Sequence, residues 1–448
     1  MRVLLLSTYD LGRQPFGLAS PAAWLKRAGI AVAAVDLSRD KLSDDAIAGA
    51  TLVAFYLPMH TATRLALPVI DRVRALNPAA TVCAYGLYAP LNDALLRAHG
   101  VAAVLGPEAE SDLVSLAGSL GSSGSTGSTG SKGSLARLAF IQPDRSLLPG
   151  LEKYARLQMP DGTRRIAGAT DATRGCKHRC RHCPIVPVYD GQFRVVAADV
   201  VLADVRAQVE QGAEHITFGD PDFLNGPTHA RRIVEALHAE FPALTYDATI
   251  KVQHLLDHRE LLPVLARTGC LFVTSAVESV DDEVLVRLDK GHTRADFVAA
   301  ARACRDAGVA LSPTFVAFTP WTTIEGYVDL LDAVEALDLT GHVAPVQWAI
   351  RLLVTWESRL LELPDIKNLV GAFDHKTLTF PWRHADPRVD QLQHEVMNLV
   401  GRRVNSPRHA LVDDIRLITK PVARFHGSAA APPHPRTEIP YLNEPWYC

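Results

Sequence analysis

The segment from Cys176 to Cys183 constrains this chain more than any other part of its sequence. It reads Cys-Lys-His-Arg-Cys-Arg-His-Cys and spaces three thiols, Cys176, Cys180 and Cys183, as C-x3-C-x2-C. Three thiolates on one loop can hold three irons of a [4Fe–4S] cluster, and the fourth iron then has no protein ligand. The spacing therefore predicts a cluster with one iron open to a small ligand.

Two other uses of cysteine suit this segment less well. A structural zinc site is closed by four ligands in paired spacing, but no second Cys-x2-Cys pair follows, and His178 and His182 lie too close to the thiols for one tetrahedron to use them all. Disulfides suit an oxidising compartment, whereas this chain has seven cysteines, an odd number, and no apparent secretory signal. The cysteines in apolar runs, Cys83, Cys270 and Cys304, are expected to be buried.

The cysteine segment resembles the signature of the radical S-adenosylmethionine (SAM) superfamily. In that family the loop follows the first strand of a partial βα barrel, and the apolar run 165–170 precedes it here. The resemblance implies that the open iron chelates the amino and carboxylate groups of SAM, and that reduction of the cluster splits a carbon–sulfur bond to make a radical. His182 stands where the family usually has Phe or Tyr, which keeps a flat ring beside the third cysteine.

The chain of 448 residues is long enough for two or three domains. Residues 1–118 alternate apolar runs with amphipathic stretches, which predicts a doubly wound, Rossmann-like α/β domain. The Gly/Ser-rich residues 119–136 are expected to be a linker. Residues 150–351 repeat strand and helix, with a sixth strand at 343–348, and predict a partial (βα)6 barrel. Residues 352–448 are expected to be a helical extension and a Pro- and aromatic-rich arm docked onto the protein.

Residues 1–118 are similar to the cobalamin-binding domain that precedes many radical SAM barrels. The run 103–110 is similar to that domain's closing Gly-Glu-Gly-Glu. The cobalt-ligating Asp-x-His-x-x-Gly motif is missing, because Tyr9-Asp10-Leu11-Gly12-Arg13 follows the first strand. Two alternatives stay open: cobalamin binds without a histidine ligand, or the domain only covers the barrel.

The turn after the second predicted barrel strand is a candidate SAM site, because functional groups of such barrels gather at the carboxyl ends of strands. It reads Gly219-Asp220-Pro221-Asp222, similar to the family's Gly-Gly-Glu-Pro turn. The resemblance implies that this turn receives the methionine amino group of SAM. Which of Asp220 and Asp222 supplies the carboxylate is open, as is an alternative in which an Asp-Pro turn only caps a loop.

Further candidates follow the fourth and sixth predicted strands. Ser275, Glu278 and Ser279 are similar to a Glu-Ser run in cores of this type, where polar groups meet the ribose and methionine of SAM. The alternative is that Glu278 only pairs with a neighbouring base. Arg351 follows the sixth strand and can clamp a carboxylate of substrate or SAM, or pair with a neighbouring acid.

The last residue, Cys448, also carries a resemblance. It is similar to the start of the tail of the CUAEP/CCAEP-tail radical SAM proteins, in which Cys is followed by selenocysteine or cysteine and then Ala-Glu-Pro. This predicts a selenoprotein with a selenocysteine codon beyond Cys448. The terminal pair would be a redox group or would bind a soft element at the substrate site.

The predicted function is reductive cleavage of SAM and radical modification of a small-molecule or peptide substrate, with an external one-electron donor of the flavodoxin or ferredoxin type. The alternatives are transfer of the 3-amino-3-carboxypropyl group of SAM to a soft heteroatom, cobalamin-dependent methyl transfer, and, from another class, an iron–sulfur electron carrier. The net charge of −3 argues against a nucleic-acid-binding protein, and no apolar run is long enough for a membrane span. A cytoplasmic location is expected.

Overall fold

The computed structural model describes residues 2–121, 138–419 and 438–443. From residue 122 onward the predicted linker lies outside the described residues, as do most of the predicted terminal arm and Cys448. Among the described residues, no helix is both long and apolar enough to cross a membrane.

Five parallel strands form the N-terminal sheet, in the order β2-β1-β3-β4-β5. Its strands are short apolar runs, and helices cover both faces, which buries the sheet. This strand order places a switch point between β1 and β3, where successive connections leave for opposite faces. The elements are β1 (Arg2–Ser7), α1 (Phe16–Arg27), β2 (Ala31–Asp36), α2 (Asp44–Ala48), β3 (Leu52–Tyr56), α3 (His60–Leu76), β4 (Thr81–Tyr85), α4 (Tyr88–Leu91), α5 (Asp93–Ala98), β5 (Ala103–Val104) and α6 (Glu110–Gly121).

The second sheet is curled into a partial barrel. Five parallel strands run in the order β13-β12-β11-β10-β7, and the short antiparallel strands β6 and β14 (Tyr441–Leu442) extend the β7 edge. The predicted fold class, a doubly wound domain with a partial radical SAM-type barrel, is confirmed. The elements are β6 (Arg156–Gln158), β7 (Arg164–Thr170), β8 (Thr173–Gly175), α7 (Val186–Tyr189), β9 (Phe193–Val195), α8 (Ala198–Glu210), β10 (His215–Phe218), α9 (Pro227–Glu240), β11 (Thr245–Thr249), α10 (Val252–Asp257), α11 (Leu262–Arg267), β12 (Cys270–Glu278), α12 (Asp282–Arg287), α13 (Arg294–Ala307), β13 (Ala310–Phe315) and α14 (Ile324–Ala336).

The sixth barrel strand lies later in the chain than the sequence predicts. Pro345–Trp348 forms a 3-10 helix, because Pro345 has no N–H for a strand ladder and its fixed φ suits a first helical turn. The chain becomes extended just after it. Phe318 donates its N–H to the carbonyl of Ile350 (3.0 Å), and Leu352 donates to the carbonyl of Phe318 (2.8 Å). The sixth position is therefore held by a single parallel bridge.

Three helices follow the barrel, and a short strand returns to it. The helices are α15 (Pro364–Leu369), α16 (Pro387–Arg403) and α17 (Arg408–Thr419). The strand β14 (Tyr441–Leu442) pairs antiparallel with β6, and the Arg408 guanidinium lies 4.9 Å from the centroid of the Tyr441 ring. Segment 438–443 is thereby docked on the barrel edge.

A buried arginine joins the N-terminal domain to the barrel. The Arg145 side chain is 2% exposed and donates to both carboxylate oxygens of Asp204 on α8, at 2.7 and 2.8 Å. It also donates to the side-chain oxygen of Gln14 (2.9 Å) and to the carbonyl of Ala169 on β7 (2.6 Å). One guanidinium therefore satisfies acceptors from both domains.

We expect Arg145→Met to lower the free energy of unfolding by about 3–5 kcal/mol, because Asp204 would remain buried without its counter-charge. Guanidinium chloride unfolding followed by circular dichroism measures the change. The matched control is Arg97→Met, which breaks the exposed Arg97–Asp93 pair, with side chains 43% and 46% exposed, and is expected to cost less than about 1 kcal/mol. Equal small losses for the two variants would contradict the assigned role of Arg145.

Candidate active site

The three thiols lie on a loop that begins after β8. A two-stranded antiparallel ribbon, β8 with β9, therefore separates the loop from the first barrel strand, β7. Gly175 ends β8 with a φ of +79°, and a Cβ there would lie 2.4 Å from the Tyr189 ring, so the turn requires glycine. Cys180 is buried, Cys176 and Cys183 are half-buried, and all three are free thiols.

Burial raises the pKa of the Cys176 thiol to about 11 and that of Cys183 to about 12. Such thiols stay protonated at neutral pH, so a metal must displace their protons to bind them. Two largely buried ammonium groups favour the thiolate forms, Lys251 acting on Cys176 and Lys290 on Cys183. Three free thiols with cationic neighbours fit a [4Fe–4S] cluster, whose cysteine ligands are anionic.

Glu278 ends β12 in an unusual backbone conformation. Its φ is +67°, and the ladder between β12 and β13 shifts register between Ala276 and Glu278. Residues other than glycine rarely adopt this conformation, and such strain is found mostly at functional sites. The Glu278 carboxylate lies 3.0 Å from Nε2 of His182, in the cysteine loop, and 3.4 Å from Nζ of Lys290.

These three side chains form a buried cluster of polar contacts beside the thiols. Burial alone would raise the pKa of Glu278, but Lys290 and His182 lower it to about 2. Burial alone would lower the pKa of Lys290, but the Glu278 carboxylate and the thiols Cys180 and Cys183 outweigh it and raise that pKa. A fixed carboxylate and a fixed ammonium group therefore stand beside the thiols.

The two aspartates after β10 have different partners. Asp220 accepts hydrogen bonds from the Ala172 N–H (2.9 Å) and the Thr173 hydroxyl (2.6 Å), both between β7 and the cysteine loop. Burial raises the pKa of Asp220 to about 7. The Asp220 carboxyl thus braces the turn that leads into the loop.

Asp222 instead faces two histidines. One carboxylate oxygen lies 2.6 Å from Nδ1 of His254 and 3.6 Å from Nε2 of His178, and the two Nε2 atoms lie 3.2 Å apart. Burial opposes ionisation of Asp222, but His178 and His254 lower its pKa to about 2. The contacts from Asp222 through His254 to His178 connect the end of β10 with the cysteine loop. One ligand atom from each of these three side chains lies within 4.8 Å of the others, which is close enough for a metal ion to bind all three.

Gly219 lies where the two domains meet. A Cβ on Gly219 would lie 2.5 Å from a carboxylate oxygen of Asp171 and 3.6 Å from Nη1 of Arg13. Any larger residue would therefore collide with Asp171. The turn that the sequence singles out as a SAM site thus lies close to Arg13 of the N-terminal domain.

The other predicted site residues have different surroundings. Ser275 is buried, and its hydroxyl has no hydrogen-bond partner among the described residues. The Ser279 hydroxyl accepts the Asp281 N–H (3.1 Å) just before α12. Arg351 donates to Asp390 (2.7 Å), and its guanidinium lies 3.5 Å from the centroid of the Trp382 ring, so its contacts are with the C-terminal helical segment.

Sequence reasoning missed Lys251 and His254. Both residues follow the carboxyl end of β11. Functional groups of such barrels gather at the carboxyl ends of strands, so this position was the signal that could have identified them. No motif resemblance marked this strand end. The sequence prediction that Cys83, Cys270 and Cys304 are buried is confirmed.

The family model of the radical SAM superfamily matches residues 171–332, which include the cysteine loop and the ends of β10, β11 and β12. Residues 171–332 are a radical SAM domain. Members of this superfamily hold a [4Fe–4S] cluster, bind SAM and need an external electron donor. Cys176, Cys180 and Cys183 fit that cluster by number, position and charge environment.

Curated relatives are similar in sequence to part of this chain. A tRNA-2-methylthio-N(6)-dimethylallyladenosine synthase from Fusobacterium nucleatum subsp. nucleatum is 25% identical over 177 residues, covering 36% of this chain and 39% of the relative. The bacteriochlorophyllide d C-12(1)-methyltransferase of Chlorobaculum tepidum is 28% identical over 126 residues, covering 28% and 27%. The chain thus spans well under half the length of these relatives.

Solved structures share the fold over a larger part of the chain. The cobalamin-dependent radical SAM enzyme OxsB, with aqua-cobalamin bound, matches with a TM-score of 0.73 at 14% identity, over 94% of this chain and 71% of that one. The radical SAM methyltransferase TsrM from Kitasatospora setae, with cobalamin and a [4Fe–4S] cluster bound, matches with a TM-score of 0.59 at 19% identity, over 75% and 70%. The chain therefore has a radical SAM fold with an N-terminal domain of the B12-binding type.

We expect Asp220→Asn to change how stability depends on pH. The Asp220 pKa rises from 3.8 to about 7 on folding, so between these values the unfolded chain releases a proton that the folded chain keeps. Asp220 therefore contributes a loss of stability of up to about 4 kcal/mol as pH rises from about 4 to 7, and the variant lacks this contribution. Urea unfolding of the metal-free protein across this range measures the difference.

The matched control for that experiment is Asp161→Asn, which changes an exposed acid that has no histidine among its partners. Hydrogen bonds from Thr163 hold the pKa of Asp161 below its usual value of 3.8, so its contribution to stability is lost only as pH decreases below about 4. Its pH dependence between 4 and 7 should therefore parallel that of the wild type. Parallel curves for wild type and Asp220→Asn would show that Asp220 is ionised in the folded protein.

Proposed function

We propose that this chain cleaves SAM reductively and uses the resulting radical to modify a small-molecule or peptide substrate. The observation that carries the proposal is the number of thiols that can bind one cluster. Cys176, Cys180 and Cys183 share one loop, while the other described cysteines lie within apolar cores. The described cysteines therefore offer three ligands to a four-iron cluster, and one iron is left for SAM.

When bound, the cluster supplies the electron that breaks a carbon–sulfur bond of SAM. The protein's own groups bind and orient the cofactor. Asp222 is ionised and stands beside the loop, so we assign it to the SAM ammonium group in preference to Asp220, whose carboxyl is engaged by Ala172 and Thr173. Glu278 and Lys290 supply one fixed charge of each sign for the polar ends of SAM.

The proposed donor is a one-electron protein of the flavodoxin or ferredoxin type. The proposed location is the cytoplasm, where thiols are kept reduced. An electron carrier would not need an ionised acid and base held beside an open iron, and the buried Glu278, Lys290 and Lys251 favour an enzyme over a carrier.

The first test is product formation. Protein reconstituted anaerobically with iron and sulfide, then reduced with dithionite, is expected to convert SAM to 5′-deoxyadenosine. Cys180→Ala should abolish the product and lower bound iron, because two thiolates cannot hold the cluster. The matched control, Cys304→Ala, alters a fully buried thiol on α13 and should keep both. Methylthioadenosine would instead indicate 3-amino-3-carboxypropyl transfer, and no cleavage would refute the proposal.

A second test addresses the charged residues. Glu278→Gln is expected to weaken SAM binding about tenfold or more, because a hydrogen bond to a charged group is worth roughly 1.5–3 kcal/mol. Equilibrium dialysis of the reconstituted, unreduced protein with labelled SAM gives the dissociation constant. Glu283→Gln, an exposed acid on α12, is the matched control and should leave it unchanged. An unaltered constant in Glu278→Gln would remove Glu278 from the SAM site.

A further inference from the structure

Lys251 differs from the other buried cations of the described residues, because it has no carboxylate partner. Four lysines and arginines of the described chain are buried. Three of them lie 2.7, 2.8 and 3.4 Å from a carboxylate oxygen, namely Arg145 with Asp204, Arg174 with Glu110, and Lys290 with Glu278. The Lys251 ammonium group has neither a hydrogen bond nor an ion pair within the described residues, although the residue is only 8% exposed.

A buried ammonium group of this kind is suited to bind an anion. An ammonium group that leaves water is stabilised when an anion or other hydrogen-bond acceptors replace that water. We propose that Lys251 binds the carboxylate group of SAM, next to Asp222, which takes the SAM ammonium group. The inference rests on the proposed function and adds a binding residue to its SAM site.

Lys251 and Asp222 follow neighbouring strands of the barrel. β10 and β11 pair in parallel, with Phe218 opposite Ala248, and the two charged residues come shortly after these strand ends. Both charges act electrostatically on the Cys176 thiol, and Asp222 also acts on Lys251. An anion and a cation are therefore within electrostatic reach of the same thiol and of each other.

This pair of opposite charges fits the amino acid end of SAM. The ammonium and carboxylate groups of SAM share one carbon atom, so the protein groups that bind them must be neighbours. Asp222 is ionised, so it attracts the ammonium group and repels a carboxylate. The carboxylate is therefore placed toward Lys251, a cation within electrostatic reach of Asp222.

Lys290 is less suited to this carboxylate. Its ammonium group already lies 3.4 Å from a carboxylate oxygen of Glu278. It acts on the Cys183 thiol, whereas Lys251 acts on the Cys176 thiol. The two lysines therefore serve different parts of the cysteine loop, and Lys251 is the one without a carboxylate partner among the described residues.

The affinity of Lys251 variants for SAM tests the inference. The full chain is reconstituted anaerobically with iron and sulfide, left unreduced, and dialysed to equilibrium against labelled SAM. We expect Lys251→Met to keep about four irons per chain and to bind SAM about tenfold or more weakly, because it loses a hydrogen bond between two charged groups. Lys251→Arg keeps the positive charge and should bind SAM more tightly than Lys251→Met. The matched control, Lys177→Met, changes an exposed lysine of the cysteine loop and should keep the wild-type affinity.

A second ligand separates SAM binding from a role of Lys251 that is confined to the charge of the cluster. Decarboxylated SAM keeps the sulfonium and amino groups and lacks the carboxylate. Its dissociation constant, measured by displacement of labelled SAM, should be the same for wild type and Lys251→Met. Equal weakening of both ligands in Lys251→Met would overturn the proposal, as would loss of iron or an unchanged affinity for SAM.

Failure of this inference can be told apart from failure of the proposed function. If the wild type forms 5′-deoxyadenosine and Lys251→Met binds SAM as tightly as the wild type does, only the assignment of Lys251 fails. If the wild type assembles its cluster and binds no SAM, the proposed function fails and the assignment of Lys251 fails with it.

Discussion

The site depends on the contacts that Glu278 makes with Lys290 and His182. The carboxylate reaches them from the strained end of β12, where φ is positive and the strand ladder slips. It connects the barrel to the cysteine loop through His182 and keeps Lys290 charged beside the thiols. Without Glu278, the buried ammonium group of Lys290 would be unpaired, and the cysteine loop would lose its contact with the end of β12. The positions of the thiols and the charge beside them therefore both depend on Glu278.

A second set of buried charges sets the relation between the domains. Arg145 satisfies acceptors from both domains, and Arg174, just before the cysteine loop, donates to Glu110 of the N-terminal domain. Polar interfaces of this kind specify one arrangement because any other leaves a charge unpaired. The fold shared with cobalamin-dependent enzymes therefore leaves the use of the N-terminal domain open, since packing at its strand ends decides what it can hold.

Sequence reasoning worked where the signal was local. Strand and helix alternation gave the fold class, and the cysteine spacing located the loop because ligand spacing is a property of contiguous residues. It placed the sixth barrel strand too early, since apolar periodicity over 343–348 does not register the missing N–H of Pro345. It also left Asp220 and Asp222 equivalent, although they are two residues apart and their carboxylates meet different partners.

The sequence alone determined that three thiols lie on one loop, that parallel strands bring acids toward that loop, and that residues 8–15, directly after β1, contain no histidine. These follow from spacing, from periodicity and from residue identity. Only the tertiary structure decided that Lys251 and His254 join the site, that Arg351 pairs with Asp390, and that Arg145 joins the two domains through Gln14 and Asp204. Contacts between residues far apart in sequence depend on how strands and helices pack, and packing has no signal in a local pattern.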